Sequence, residues 1–398
     1  MKALVLLSLA ALAMGADAGM SPAQLAKIPQ RMKAFVDQKR IAGAVTLIAR
    51  HGTIAEFDAV GMQDMEAGKP MAKDSIFQIM SMTKPFVGVA IMMLVDEGKV
   101  VISDPVEKYL PEFRGQMMVE VKDGVKTLHK PGRTITVRDC MTHTSGMSSG
   151  PFAGFAELNQ KMDKTLAEAM LMYSQQPLEF EPGSKWQYSN TGISVLGRII
   201  EVASGMPFEG FIESRIFQPL GMKDSHFFLP MEKQGRLAPV YRLMDGKLTK
   251  ADGTILGGDP LQFRKGAKYP APEWGMYTTA TDLLQFYQMM LNGGKSGGRQ
   301  LLSRAAVDMM TSAHTADLRS GHMPGTAFGL TWEVVRPEGL GEIHLLSAGT
   351  FGHGGAFNTH GWIDKKKDMI GIFLIQNATG TADVKYAFMG MANAAVID

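Results

Sequence analysis

A single cysteine, Cys140, stands in the 398 residues, so no disulfide can form within the chain and a large apolar core has to suffice. No His or Asp is arranged around it as a thiol-based site requires, and a buried structural thiol is the expectation. Excess charge of either sign is also missing. Lys and Arg number 41 against 39 Asp and Glu, a net of +2, and no basic stripe suggests a nucleic-acid partner. The densest cationic run, Lys365-Lys366-Lys367, lies between strand-like segments and ends at Asp368, as a solvated hairpin turn would. No His-Glu-x-x-His pair, cysteine cluster or spaced acidic loop offers metal ligands, and no cofactor is implied. Low-complexity tracts and repeats are absent, which sets aside disordered chains, solenoids and propellers. The N-terminal apolar run, 13 residues from Ala3 to Gly15, is too short for a bilayer, which takes about 20. It follows Lys2 and precedes Ala16-Asp17-Ala18, the pattern of a secretory leader over residues 1–18 cleaved after Ala18. The expectation is an exported protein, periplasmic or secreted, with no stable membrane anchor.

What is present is 45% hydrophobic, with 31 Met that read as adaptable core filler, and a length that predicts two lobes or one enlarged domain. Ala23 to Lys39 has helical periodicity; Ala44 to Ala49 reads as a buried strand, turned at His51-Gly52 into a second over Ile54 to Val60. From Ser81 to Val95 the chain is apolar almost all round and stops at Gly98, the pattern of an enclosed helix. Helical patterns then dominate, for example Leu196 to Ala203 and Ala280 to Leu291. Strands return at Phe328 to Val335, Ile343 to Ser347, Phe357 to Ile363 and Met369 to Gln376, before a final helix from Ala382 to Ala395. The expected fold is α+β: an antiparallel sheet flanked by terminal helices, with residues 19–99 and 325–398 in one lobe, a mostly helical lobe of residues 100–324 inserted, and a cleft between them.

The chemistry-bearing strings are Ser81-Met82-Thr83-Lys84 and Tyr188-Ser189-Asn190, each the single match of its pattern in the chain. Three residues of helix put Ser81 and Lys84 on one face, so the amine can take the hydroxyl's proton. A capped helix with a solvated lysine is the plain alternative. Lys84 is set instead before Pro85-Phe86-Val87 at the head of an apolar helix, where burial would depress its pKa; to act as a base near neutral pH it must fall by about 3 units, within the range known for desolvated lysines. Pro85 removes an early backbone donor and predicts an irregular first turn. Tyr188 could share the proton. In Gly352-His353-Gly354-Gly355-Ala356 small residues before a strand would let a substrate lie against the backbone; His353 either contacts substrate or leaving group, or steadies the loop.

In this order the elements resemble the serine β-lactamase and penicillin-binding-protein superfamily, with the closest likeness to class C β-lactamases and family VIII carboxylesterases. The resemblance covers nearly the whole chain after the leader. It runs through Thr142-His143-Thr144-Ser145-Gly146, Pro182-Gly183-Ser184, Pro219-Leu220-Gly221-Met222 and His353-Gly354-Gly355 as well as the two strings above. It implies a β-lactamase-like fold and an acyl-enzyme on Ser81. It also implies proton transfer shared by Lys84 and Tyr188, Asn190 steadying lysine and substrate, and an oxyanion hole from the N–H groups of Ser81 and Ala356. The third motif departs from a true β-lactamase, which has Lys-Thr-Gly where this chain has His353-Gly354-Gly355. Loss of that cation favours neutral short-chain or aryl esters, with weak β-lactam hydrolysis compatible. A D-alanyl or D-amino-acid peptidase, a β-lactamase and a silent penicillin-binding-like receptor are the alternatives. Gly294-Lys295-Ser296-Gly297-Gly298 matches a nucleophile-elbow string, but it follows a helix and is polar, where an elbow needs a strand before the serine.

Overall fold

The computed structural model describes residues 18–148, 158, 161–251, 266–315, 317–322, 324–337 and 345–398. Apart from Ala18, the expected leader lies outside the described residues. The strands β1 (Gly43–Arg50), β2 (Thr53–Asp64), β3 (Lys69–Pro70), β4 (Thr326–Phe328), β5 (Glu333–Val335), β6 (Phe351–Gly354), β7 (His360–Asp364) and β8 (Met369–Leu374) form one antiparallel sheet. Their order is β4-β5-β6-β7-β8-β1-β2-β3, so strands from the two ends of the chain meet at the β1–β8 pair, in register from Val45↔Leu374 to Arg50↔Met369.

Strand β1 is buried along its whole length because both faces are covered. By the two-residue alternation of a strand, Val45, Leu47 and Ala49 enter the main core, while Ala44 and Ile48 enter a second core under the terminal helices. Those helices are α1 (Lys27–Asp37) and α5 (Ala382–Ala394), which bury Met32 and Phe35 from one and Val384, Phe388 and Met389 from the other. Gly371 in β8 is dictated by packing: a Cβ there would sit 2.1 Å from Trp362.

The enclosed helix is α2 (Lys84–Asp96), with every residue from Lys84 to Leu94 buried. Phe86 stacks on Phe286 at 3.8 Å between centroids, and burial of such a ring contributes roughly 1.5–3 kcal/mol. The first turn is irregular, as Pro85 predicts: Met80–Thr83 is a 3-10 turn that hands over to α2 at Lys84. The helices α3 (Asn190–Ser204) and α4 (Ala280–Leu291) complete the body around α2. Among the described residues no helix is long and apolar enough to cross a membrane.

Several expectations need correction. Phe328 to Val335 is not one strand: Gly329 N–H closes on the Trp332 carbonyl at 2.8 Å and Thr331 takes φ +66°, so the chain turns back between β4 and β5. The segment before β7 does not extend from Phe357, because Asn358 adopts φ +63° in a loop closed by Gly355 N–H to the Thr359 carbonyl. His353 and Gly354 end strand β6 instead of preceding a strand. Of the expected strand Ile343 to Ser347, residues 343–344 lie outside the described residues and 345–347 are not in a strand. The middle of the chain also carries hairpins, Met118–Lys122 with Val125–His129 and Tyr241–Met244 with Lys247–Lys250. Lys365 to Asp368 form the β7–β8 turn, but Lys367 is not simply solvated: its Nζ donates to Asn393 Oδ1 at 2.7 Å.

Candidate active site

The residue before the nucleophile carries the local strain. Met80 adopts φ +50°, a region that side chains with a Cβ disfavour, and Thr83 Oγ1 holds it by donating to the Met80 carbonyl at 2.6 Å. Ser81 follows in the 3-10 turn, half-buried, with its hydroxyl toward Lys84. Lys84 Nζ lies 2.9 Å from Ser81 Oγ and 2.7 Å from the backbone carbonyl of Glu273. The amine is also 4.7 Å from the centroid of the Tyr188 ring, and the Ser81 hydroxyl is close enough to the phenol to hold its pKa down against burial. Ser81 and Lys84 are thus brought together with Tyr188, which lies more than a hundred residues further along the chain.

Burial sets the protonation of each. Enclosure lowers the Lys84 ammonium to about 7, against the attraction of Glu273, which holds it up. Burial raises the Tyr188 phenol above its ordinary value, so it is a neutral donor and acceptor across the accessible pH range. His143, whose ring lies 4.4 Å from that of Tyr188, accepts from Ser189 N–H through Nδ1 at 3.1 Å. Burial, with the Lys84 charge next, pushes it well below the usual imidazole range, and it serves as a neutral prop for the Tyr188 segment.

Ser81 and Tyr188 open onto a cleft of about 330 Å³, whose wall includes His353, Gly354, Gly355 and Ala356 as the third motif suggested. Gly355 is dictated by close approach: a Cβ would lie 2.2 Å from Thr359 Oγ1 and 2.4 Å from the Ile79 carbonyl, which pins this loop against the nucleophile's turn. His353 Nδ1 is 2.7 Å from the Gly354 carbonyl, an acceptor only, so the proton sits on Nδ1. Burial, then the Lys84 and His322 charges, lower His353 to about 3, and it carries no charge at neutral pH. Asn190 is the first residue of α3 and does not line the cleft.

Sequence reasoning missed the rest of the wall. His322 and Glu333 come from the region of the β4–β5 hairpin, His360 from β7, and Lys385 and Tyr386 from α5. Glu333 Oε1 accepts from His322 N–H at 2.6 Å and Thr326 Oγ1 at 2.7 Å. Burial alone would raise its pKa; these donors and the His322 ring hold it down to about 2. No motif marks these residues, because each belongs to an element read only for its apolar pattern.

Glu273 was also missed, and it lies behind the lysine. Its carboxylate accepts from Ser194 Oγ at 2.9 Å and Tyr269 OH at 3.2 Å, fully enclosed. Because its charge raises the Lys84 pKa, Glu273→Gln is expected to free the amine at lower pH. The acid limb of a kcat/KM profile should move down by about half a unit or more. An unmoved or upward-shifted limb would show that Glu273 does not carry the charge felt by Lys84.

Two other cavities are larger, about 390 and 410 Å³. The second holds Ser296 with His51 and Asp368, which are 2.9 Å apart. Ser296 lies in the two-residue strand Lys295–Ser296 of a surface hairpin, with no elbow into a helix, and volume alone does not make either cavity the site. Cys140 is fully buried, and burial pushes its thiol well up, which leaves it unreactive.

A model of the Beta-lactamase family matches residues 28–396. Esterase EstB of Burkholderia gladioli is 31% identical over 376 residues, covering 88% of this chain and 91% of its own. The lovastatin esterase of Penicillium rubens is 27% identical, covering 86% and 91%. The solved structure of EstCE1, described as a hydrolase with promiscuous acyltransferase activity, superposes with a TM-score of 0.79 at 27% identity over 94% of this chain and 99% of its own. Motif order, sheet and cleft agree with that match along almost the whole length, and the protein belongs to the Beta-lactamase family of serine hydrolases.

Proposed function

We propose that the protein is a carboxylesterase that cleaves short-chain or aryl esters through an acyl-enzyme on Ser81. The observation that carries this reading is the enclosed amine 2.9 Å from the Ser81 hydroxyl, lowered to a pKa at which it is free to act as a base. Lys84 takes the Ser81 proton as Oγ attacks the ester carbonyl carbon, and the C=O pair becomes an oxyanion facing the N–H groups of Ser81 and Ala356. Collapse expels the alcohol, which receives a proton through Tyr188, itself recharged from Lys84. Water then enters, loses its proton by the same route, and attacks the acyl carbon; the acid leaves and Ser81 is restored. His353 is neutral where a β-lactamase-type motif has a cation, in keeping with ester substrates.

Fluorophosphonate treatment should add one label per chain on the peptide carrying Ser81 to Lys84, read by intact mass and peptide mapping. Ser296→Ala should label and hydrolyse p-nitrophenyl acetate as the parent does. A label on Ser296, or none on Ser81, would defeat the assignment. We further propose export after removal of residues 1–18; N-terminal sequencing of the mature protein beginning at Gly19 is the expected result.

A further inference from the structure

The third motif left the cleft without its cation, yet another cation is there, supplied by a different element. Lys385, on the first turns of α5, lines the same cleft as Ser81. We propose that Lys385 is an anion-binding residue and that the preferred esters carry a free carboxylate, placed toward the terminal helix. This rests on the esterase reading above and specifies its substrate class.

Three observations carry it. Lys385 is half-buried, and among the described residues no carboxylate lies within 4.0 Å of its Nζ and no hydrogen bond engages it. Its ammonium lies 4.8 Å from the centroid of the Tyr386 ring. A partly desolvated ammonium held without a counter-ion costs stability, and a ligand carboxylate would supply the missing partner.

The second is the state of the acidic group on the same wall. Glu333 already accepts from His322 N–H and Thr326 Oγ1, with the His322 ring 3.6 Å from its other oxygen. Its charge is met by its own neighbours, and it attracts Lys385 only from a distance. Burial lowers the Lys385 pKa against that attraction, consistent with a cation short of partners.

The third is scale. The cleft holds about 330 Å³, the size of one small ligand, so a molecule whose ester reaches Ser81 also reaches the wall that contains Lys385. With His353 neutral and the His322 ring set against Glu333, Lys385 is the cleft cation left to meet an anion, and Lys84 has to be uncharged to act as base.

The test compares 4-acetoxybenzoate with its methyl ester, which have the same acyl group and differ in the charge at the far end. The parent protein is expected to favour the acid in kcat/KM. Lys385→Met should collapse that preference by about tenfold to a hundredfold, mainly through KM, the range of a charge-assisted hydrogen bond, and Lys385→Arg should keep most of it. Calorimetric binding of 4-acetamidobenzoate to the Ser81→Ala protein, with and without Lys385→Met, reads the same site without turnover. A preference unchanged by Lys385→Met, or binding equally strong in both backgrounds, overturns the anion site while Ser81 labelling still stands. Weakened binding in Lys385→Met with no fluorophosphonate label on Ser81 supports the anion site and overturns the esterase reading alone.

Discussion

Ser81→Ala should lower p-nitrophenyl acetate turnover by about 10⁴- to 10⁶-fold, the loss seen when an acyl-enzyme nucleophile is deleted. The change removes one oxygen from a 3-10 turn that is held by other contacts. Thr83 Oγ1 still bonds the Met80 carbonyl, the Glu273 carbonyl still accepts from Lys84, and Gly355 still lies against Ile79. The circular dichroism spectrum should therefore be unchanged and the melting temperature should stay within a few degrees. Substantial hydrolysis by a folded Ser81→Ala protein, after exhaustive purification, would mean that the reaction does not pass through this hydroxyl.

Lys84→Met is the second large effect, and it separates activity from stability. Methionine fills a similar volume but has no lone pair on nitrogen to accept the Ser81 proton, so a loss of about 10³-fold or more in kcat is expected. Lys84→Arg should fare no better, since a guanidinium does not deprotonate. In the parent protein the rate should climb with pH through about 7 as the amine loses its proton. Stability runs with a definite sign. The folded pKa lies below the unfolded value, so between about 7 and 10.5 the unfolded chain binds more protons and stability rises with pH. Below that window the fold carries a buried ammonium at full cost, and Lys84→Met should melt higher than the parent. The difference should shrink as pH rises toward 10. A gap that is constant across this range would show that the amine is not destabilised by enclosure.

Much of this was legible in the residues. An apolar run with no polar face between Ser81 and Gly98 announced an enclosed helix, and the alternation and apolar runs of β1 and β8 announced the sheet. Ser81, Lys84 and Tyr188 were readable because each sits in a short string whose spacing has a mechanical reason. The 118–129 and 241–250 hairpins were passed over although both carry Asp-Gly turns, Asp123-Gly124 and Asp245-Gly246, with positive φ at each position; weighing that signal would have found them. Glu273, Glu333 and Lys385 were not readable. Their importance comes from being carried next to distant residues by packing, and a single Glu or Lys in an ordinary stretch gives no local sign of that.

The pairing of β1 with β8 has a consequence for how the molecule is made. A ribosome has delivered nucleophile, amine and phenol long before it delivers Met369 to Leu374, the strand that must lie beside β1. Until then the central strand has an open edge, and closing so long a loop is the slow, association-prone step of its assembly. A nascent or C-terminally trimmed chain that lacks β8 and α5 holds the whole catalytic string without the wall that dries it, so hydrolytic power arrives only after those two elements have been added.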